Sequence, residues 1–116
     1  MSQDNVLQEK SLLFAVRIVK LHKFLCKEKH ETIISKQLIR SGTSIGANIN
    51  EATYGVSKAD FISKLHIALK ETAESEYWIR LLALTEYISE SESNSILEDC
   101  LEIKRILVAT LKNSKA

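Results

Sequence analysis

The chain has 116 residues, 45% of them apolar and 27% charged, with a net charge of +1, three glycines, no proline and two cysteines. That length suits one domain with a single core, spanning 1–116, and that balance excludes a disordered, fibrous or disulfide-stapled chain. No run of about eighteen apolar residues occurs and "MSQDNVLQEK" lacks the pattern of a signal peptide, so the expected setting is the cytoplasm, with no membrane partner.

In chain order, the first predicted helix runs from about Asn5 to Lys29. Asn5 is its expected N-cap, with Gln8 three residues on. Leu7, Ser11, Phe14, Ile18, Leu21 and Leu25 recur at spacings of four and three and form one stripe, which Val6, Leu13, Val16 and Phe24 broaden. Arg17, Lys20, Lys23 and Lys27 form a basic stripe on the same helix, the candidate face for RNA or DNA; its bland reading is a solvated surface. His22, Cys26 and His30 follow at i, i+4 and i+8, which could offer two ligands to a metal such as zinc. One helix supplies no closed tetrahedral set, so this metal-binding or enzymatic bundle is the alternative reading.

After "KEKHE" a second helix is expected from about Ile33 to Ala52, through the stretch "SGTSIGANINEA". Two of the three glycines lie in it. A phosphate-cradling loop would need those glycines between a strand and a helix start, and here "SKQLIR" runs into them as a helix. Gly42 and Gly46, beside Ser41 and Ser44, instead make a thin helix face that lets another helix approach. The expected partner is the third helix, which is itself thin at Ala68, Thr72 and Ser75. Asn48 and Glu51 are expected to bond Lys70, Arg80, Thr72 or Ser75 if buried. Gly55 is the expected left-handed stop.

Ser57 and Asp60 predict the start of a third helix, which runs to Ile88 on Phe61, Leu65, Ala68, Thr72, Ser75, Ile79 and Leu82. "EYWIRLLAL" is apolar on nearly every side, and Tyr77, Trp78 and Leu81 are expected to meet another subunit. Glu71, Glu74 and Glu76 lack the paired Glu-x-x-His pattern of di-iron bundles, since His66 lies five residues before Glu71. No ordered catalytic set emerges, and no cofactor is expected.

"SESESNS" marks the next connection, with Ser95 and Glu98 as the capping box of a fourth helix. Ile96, Cys100, Ile103, Leu107 and Leu111 form its stripe, and Lys112 and Lys115 lie near its end, where positive charge suits the helix dipole. No segment reads as a strand. The fold class is all-α, an antiparallel up-and-down four-helix bundle.

Charge is unevenly placed along this bundle. Lys10 to Arg40 holds eight basic residues against two acidic ones, while Glu71 to Glu102 holds one basic residue against nine acidic ones. Such an asymmetry can pair helices, steer identical subunits together, or present a basic face.

"QLIRSGTSIGANINEA" followed by "SKADFISKLHIALKETAESEYWIRLL" closely resembles the four-helix-bundle proteins encoded by intervening sequences within bacterial 23S ribosomal RNA genes, the S23 ribosomal protein-like family. The likeness is strong over about Ser35 to Leu82 and rests on pattern elsewhere. It implies an up-and-down bundle assembled with itself as a homopentamer, without known catalysis. The family is also similar to the accessory protein of diversity-generating retroelements, a basic ring that associates with nucleic acid and a protein partner, a reverse transcriptase; this chain departs from it in being nearly neutral. Carried over by position, Arg40, Ser41, Ser44, Gly46, Asn48, Glu51 and Ala52 match the second-helix motif, and Ser57, Lys58 and Phe61 match the start of the third helix.

Overall fold

A computed structural model describes residues 3–114. Four helices follow one another: α1 (Gln3–Glu28), α2 (Ile33–Ala52), α3 (Lys58–Leu84) and α4 (Glu90–Asn113). Each packs on two neighbours, α1 on α2, α2 on α3, α3 on α4 and α4 back on α1, with no close backbone approach across the diagonal among the described residues. The result is an up-and-down bundle with extents of 46 × 21 × 21 Å. Among the described residues no helix is long and apolar enough to cross a membrane.

The predicted stripes are the core, except that Phe61 at the start of the α3 stripe is only half-buried and packs against it. Leu7, Ser11, Phe14, Ile18, Leu21 and Leu25 of α1 are all buried, as are Leu65, Ala68, Thr72, Ser75, Ile79 and Leu82 of α3 and Ile96, Cys100, Ile103, Leu107 and Leu111 of α4. Helical periodicity of 3.6 residues brings these positions to one side, and each buried Leu, Ile or Phe contributes roughly 1.5–3 kcal/mol by leaving water. Val6 is only half-buried, and Leu13, Val16 and Phe24 are exposed, so they do not broaden the core stripe.

The helix ends differ from several expectations. Asn5 lies inside α1, which begins at Gln3. α2 has no cap from the Thr32 side chain; the Glu31 carboxylate serves instead, accepting from the backbone N–H groups of Ile33 (3.2 Å), Ile34 (3.2 Å) and Ser35 (2.8 Å). A buried carboxylate against the positive end of a helix dipole is a strong cap, and "KEKHE" hides it within a charge run. Ser57 caps α3 as expected, accepting from Asp60 N–H at 3.1 Å.

Gly55 has no positive φ; it is needed for space, because a Cβ there would lie 3.1 Å from the Ala52 carbonyl and 3.2 Å from Asp60 Oδ2. Among the described residues the left-handed ones are His30 (φ 54) and Glu86 (φ 68). Glu86 ends α3 in a Schellman motif, with Tyr87 N–H donating to Leu82 O at 2.9 Å and Glu86 N–H to Ala83 O at 3.0 Å. α3 therefore stops at Leu84, not Ile88. Ile88 folds back from the turn into the core, which extends the apolar spacing past the last helical residue.

α4 starts at Glu90, not near Ser95, capped by Ser89, whose Oγ accepts from Glu92 N–H at 3.1 Å. "SESESNS" is thus the cap and first turns of α4. Lys112 lies in the last turn as expected, and Lys115 lies outside the described residues.

Candidate functional site

The second-helix motif divides α2 into two flanks. On the α3 side Ser41 is fully buried, its Oγ 2.9 Å from Ser75 Oγ and 3.3 Å from Leu38 O, and Thr72 Oγ1 donates to Ala68 O at 2.8 Å. Each buried hydroxyl has a partner, so the seam is close without an unsatisfied group. On the other side Gly42 and Gly46 face α1, where a Cβ on Gly42 would stand 2.9 Å from Ile18 Cγ2 and one on Gly46 3.2 Å from Ser11 Oγ. The expected glycine contact with α3 is therefore corrected. At about 100° per residue, positions 42 and 46 turn away from the serine side, and α2 is thin toward both neighbours.

Arg40, Ser44, Asn48 and Glu51 lie along the α2–α3 groove. Arg40 donates to Glu71 Oε2 at 2.9 Å and Oε1 at 3.3 Å, and also to Glu74; these hydrogen bonds, accepted by Glu71 and then Glu74, raise its affinity for its proton. Glu74 accepts from the Trp78 indole N–H at 2.9 Å, and this bond, then Arg40, holds its carboxyl below the usual range. Asn48 donates to Ser44 O (2.8 Å) and Glu51 pairs with Lys64 (3.6 Å), not with the partners expected on α3. Ala52 closes the motif in the core.

On the α3–α4 side burial acts to raise the Glu76 carboxyl, but Arg80 and Lys104 together outweigh it and hold it low. Cys100, buried against the Thr72 carbonyl, has its thiol pushed up to about 12, chiefly by burial.

The other candidate residues separate. His22 Nδ1 lies 2.6 Å from Ser35 Oγ, and Cys26 Sγ lies 3.7 Å from His22 Nε2. His30 lies outside α1 in a left-handed turn, so the i, i+4, i+8 line breaks. Among the described residues no group of three His, Cys, Asp or Glu side chains is placed to hold a metal ion. Arg17 leaves the basic stripe by pairing with Asp99 (2.8 Å) and with Ser95 Oγ (2.6 Å) on α4, while Lys20, Lys23 and Lys27 are exposed.

Of the three expected interface residues, Trp78 and Leu81 are half-buried, and only Tyr77 is exposed, at 60%. Trp78 packs against the core and stacks edge-on with Tyr77, ring centroids 4.9 Å apart.

A more open apolar surface lies on α1. Leu12 is 65% and Leu13 61% exposed, with Val16 beside them. A groove of about 320 Å³ runs past Leu12 and Ala15 of α1 and Gly46 and Ala47 of α2. Sequence reasoning took Leu13 and Val16 as core. Their angular distance from Phe14 and Ile18 on a helical projection is the signal that separates them.

The model of the 23S rRNA-intervening sequence protein family matches residues 3–109. The chain belongs to that family. A protein of unknown function from the S23 ribosomal protein family of Bacteroides thetaiotaomicron, known by crystal structure, is 56% identical, with a TM-score of 0.94 over 96% of this chain and 99% of that one. No curated protein matches. The intervening-sequence family resemblance thus extends from the central helices over nearly the whole bundle.

Proposed function

We propose that the chain is a non-catalytic interaction module that assembles with itself, as a homopentamer by family resemblance. The observation that carries this reading is the exposed apolar centre of α1, Leu12, Leu13 and Val16, on a bundle whose core is already complete. Contiguous apolar surface of this kind marks an interaction site. Tyr77 with half-buried Trp78 and Leu81 offers a second, smaller apolar contact on α3. The charged side chains of the best-built polar cluster, Arg40, Glu71 and Glu74, are committed to one another, which suits holding helices in register rather than chemistry.

A second reading, contact with RNA or DNA, is favoured by Lys20, Lys23 and Lys27, exposed at one-turn spacing and outside the ion pairs that close the bundle. Repeated around an assembly, such lysines would add phosphate contacts through counterion release. Solution mass by light scattering, at low and high salt and with a mixed RNA pool, tests both. A salt-resistant multimer supports self-assembly, and a monomer at every concentration defeats it. Mass gained on RNA and lost with salt supports the nucleic-acid reading.

A further inference from the structure

Phe24 is the exposed aromatic side chain of α1, and it stands among lysines. Lys20, Lys23, Phe24 and Lys27 follow at i, i+3, i+4 and i+7, so they share one outer face of the helix, and all four are exposed. Lys29 Nζ lies 5.9 Å from the centroid of the Phe24 ring. None of these four lysines takes part in an ion pair among the described residues.

Phe24 also borders a cleft of about 740 Å³ at the end of the bundle where α3 turns into α4. Half-buried Tyr87 lines the same cleft, as do the carboxylates of Glu86, Glu90 and Glu92. A smaller groove of about 260 Å³ passes between Lys20 of α1 and Glu92 of α4 and is likewise bordered by Phe24. Two aromatic rings thus line one opening, with Lys20, Lys23 and Lys27 on the α1 face beside it.

We infer that this end of the bundle takes a single-stranded nucleic acid, with one base in the cleft against Phe24 and Tyr87 and the neighbouring phosphates on Lys20, Lys23 and Lys27. The inference deepens the nucleic-acid reading above and rests on it. Lysines alone attract any polyanion, duplex or single strand, whereas an aromatic face serves only a base that has left its stack. The charges of the cleft favour a base over other ligands. Arg17 and Lys29 line it together with the three glutamates, so a simple anion meets carboxylates and a simple cation meets ammonium and guanidinium groups. A nucleobase is neutral and planar, with donors and acceptors on its edge, and suits both signs. The glutamates also repel phosphate from the cleft, which keeps the backbone on the α1 lysines.

Binding of the full chain is measured by fluorescence anisotropy with a labelled single-stranded RNA of about twelve nucleotides, the same strand as a duplex, and its DNA counterpart. Circular dichroism and light scattering control for folding and assembly. Phe24→Ala is expected to weaken the single strand about tenfold and to leave the duplex unchanged. Phe24→Leu keeps an apolar side chain at the site, removes the π-face and should lose as much. Lys23→Gln should weaken single strand and duplex alike and lower the salt slope by about one.

Indifference of the single strand to both Phe24 variants, or an equal loss of single strand and duplex, overturns the base cleft and leaves the lysine stripe as a phosphate contact. A wild type that prefers the duplex also overturns it. A wild type that binds none of the three probes defeats the cleft and the nucleic-acid reading together, while self-assembly is read separately from the mass. Either result with DNA supports the cleft: equal affinity assigns the contact to base and phosphate, and weaker affinity assigns it to RNA through the 2′-hydroxyl.

Discussion

Two helix segments are apolar around most of their circumference, Leu12–Val19 in α1 and Tyr77–Leu84 in α3, and the fold treats them differently. In α3 Glu74, held by Arg40, binds the Trp78 indole N–H and Leu81 is half-covered, so only the two ends of the segment, Tyr77 and Leu84, stay exposed among its apolar residues. In α1 Leu12 borders the thin glycine flank of α2, in a groove with Gly46 and Ala47, and Leu13 lies on the α4 side beside Asp99 and Glu102; both stay more than half exposed. All-round hydrophobicity therefore does not by itself locate an interface. What matters is whether the adjacent helix carries side chains long enough to cover the outer residues.

The largest expected effect sets the two segments directly against each other. Leu12→Glu with Leu13→Glu should abolish assembly, lowering the mass by light scattering to one chain while helicity is kept, since neither side chain belongs to the core. Tyr77→Glu should weaken assembly less. An equal loss from both would erase the distinction between the segments.

The close approach of α2 to α1 is probed at the glycines. Gly42→Ala gains roughly 1 kcal/mol of helix propensity but forces a Cβ onto Ile18, an overpacking cost of about 1–3 kcal/mol, so net destabilisation of up to about 2 kcal/mol is expected in urea unfolding. At Gly46 the added Cβ meets Ser11 Oγ at 3.2 Å, a milder contact, and Gly46→Ala should fall within about 1 kcal/mol of wild type on the same balance. A Gly42→Ala protein more stable than wild type would mean that α1 and α2 can separate freely.

On the α3 side the sign of a pH effect is testable. Glu74 has its folded pKa lowered by the Trp78 indole and by Arg40, so its contribution is present above the ordinary carboxylate range and is lost as pH falls through the folded value. Glu74→Gln should lower stability at neutral pH and flatten the acid limb of the stability curve, measured by thermal melting across pH. An unchanged acid limb would remove the cluster from the account of how Trp78 is held.

The smallest effect is chemical. Cys100, buried behind α3 with its thiol pushed up to about 12, should resist a thiol reagent at neutral pH, whereas half-buried Cys26 on α1 should be labelled first. Mass spectrometry of the labelled protein distinguishes them, and early modification of Cys100 would indicate that the α3–α4 seam opens.

The four helices, their order and nearly every core residue were legible in the sequence, because a 3.6-residue period records which side of each helix faces inward. The Ser57 cap and the serine flank of α2 were legible too, since capping and small-residue spacing are local. The Ser89 cap was not, as one serine among several carries no mark of which one ends the turn. Nor was the end of α3, because Ile88 returns to the core from outside the helix and continues its pattern. Only the packed bundle decided that Gly42 and Gly46 face α1, and that Arg17 is paired with Asp99 while Lys20, Lys23 and Lys27 stay outside the ion pairs. Those outcomes depend on the rotation of each helix about its axis and on the bulk of its neighbours, and both are properties of pairs of helices that no single segment encodes.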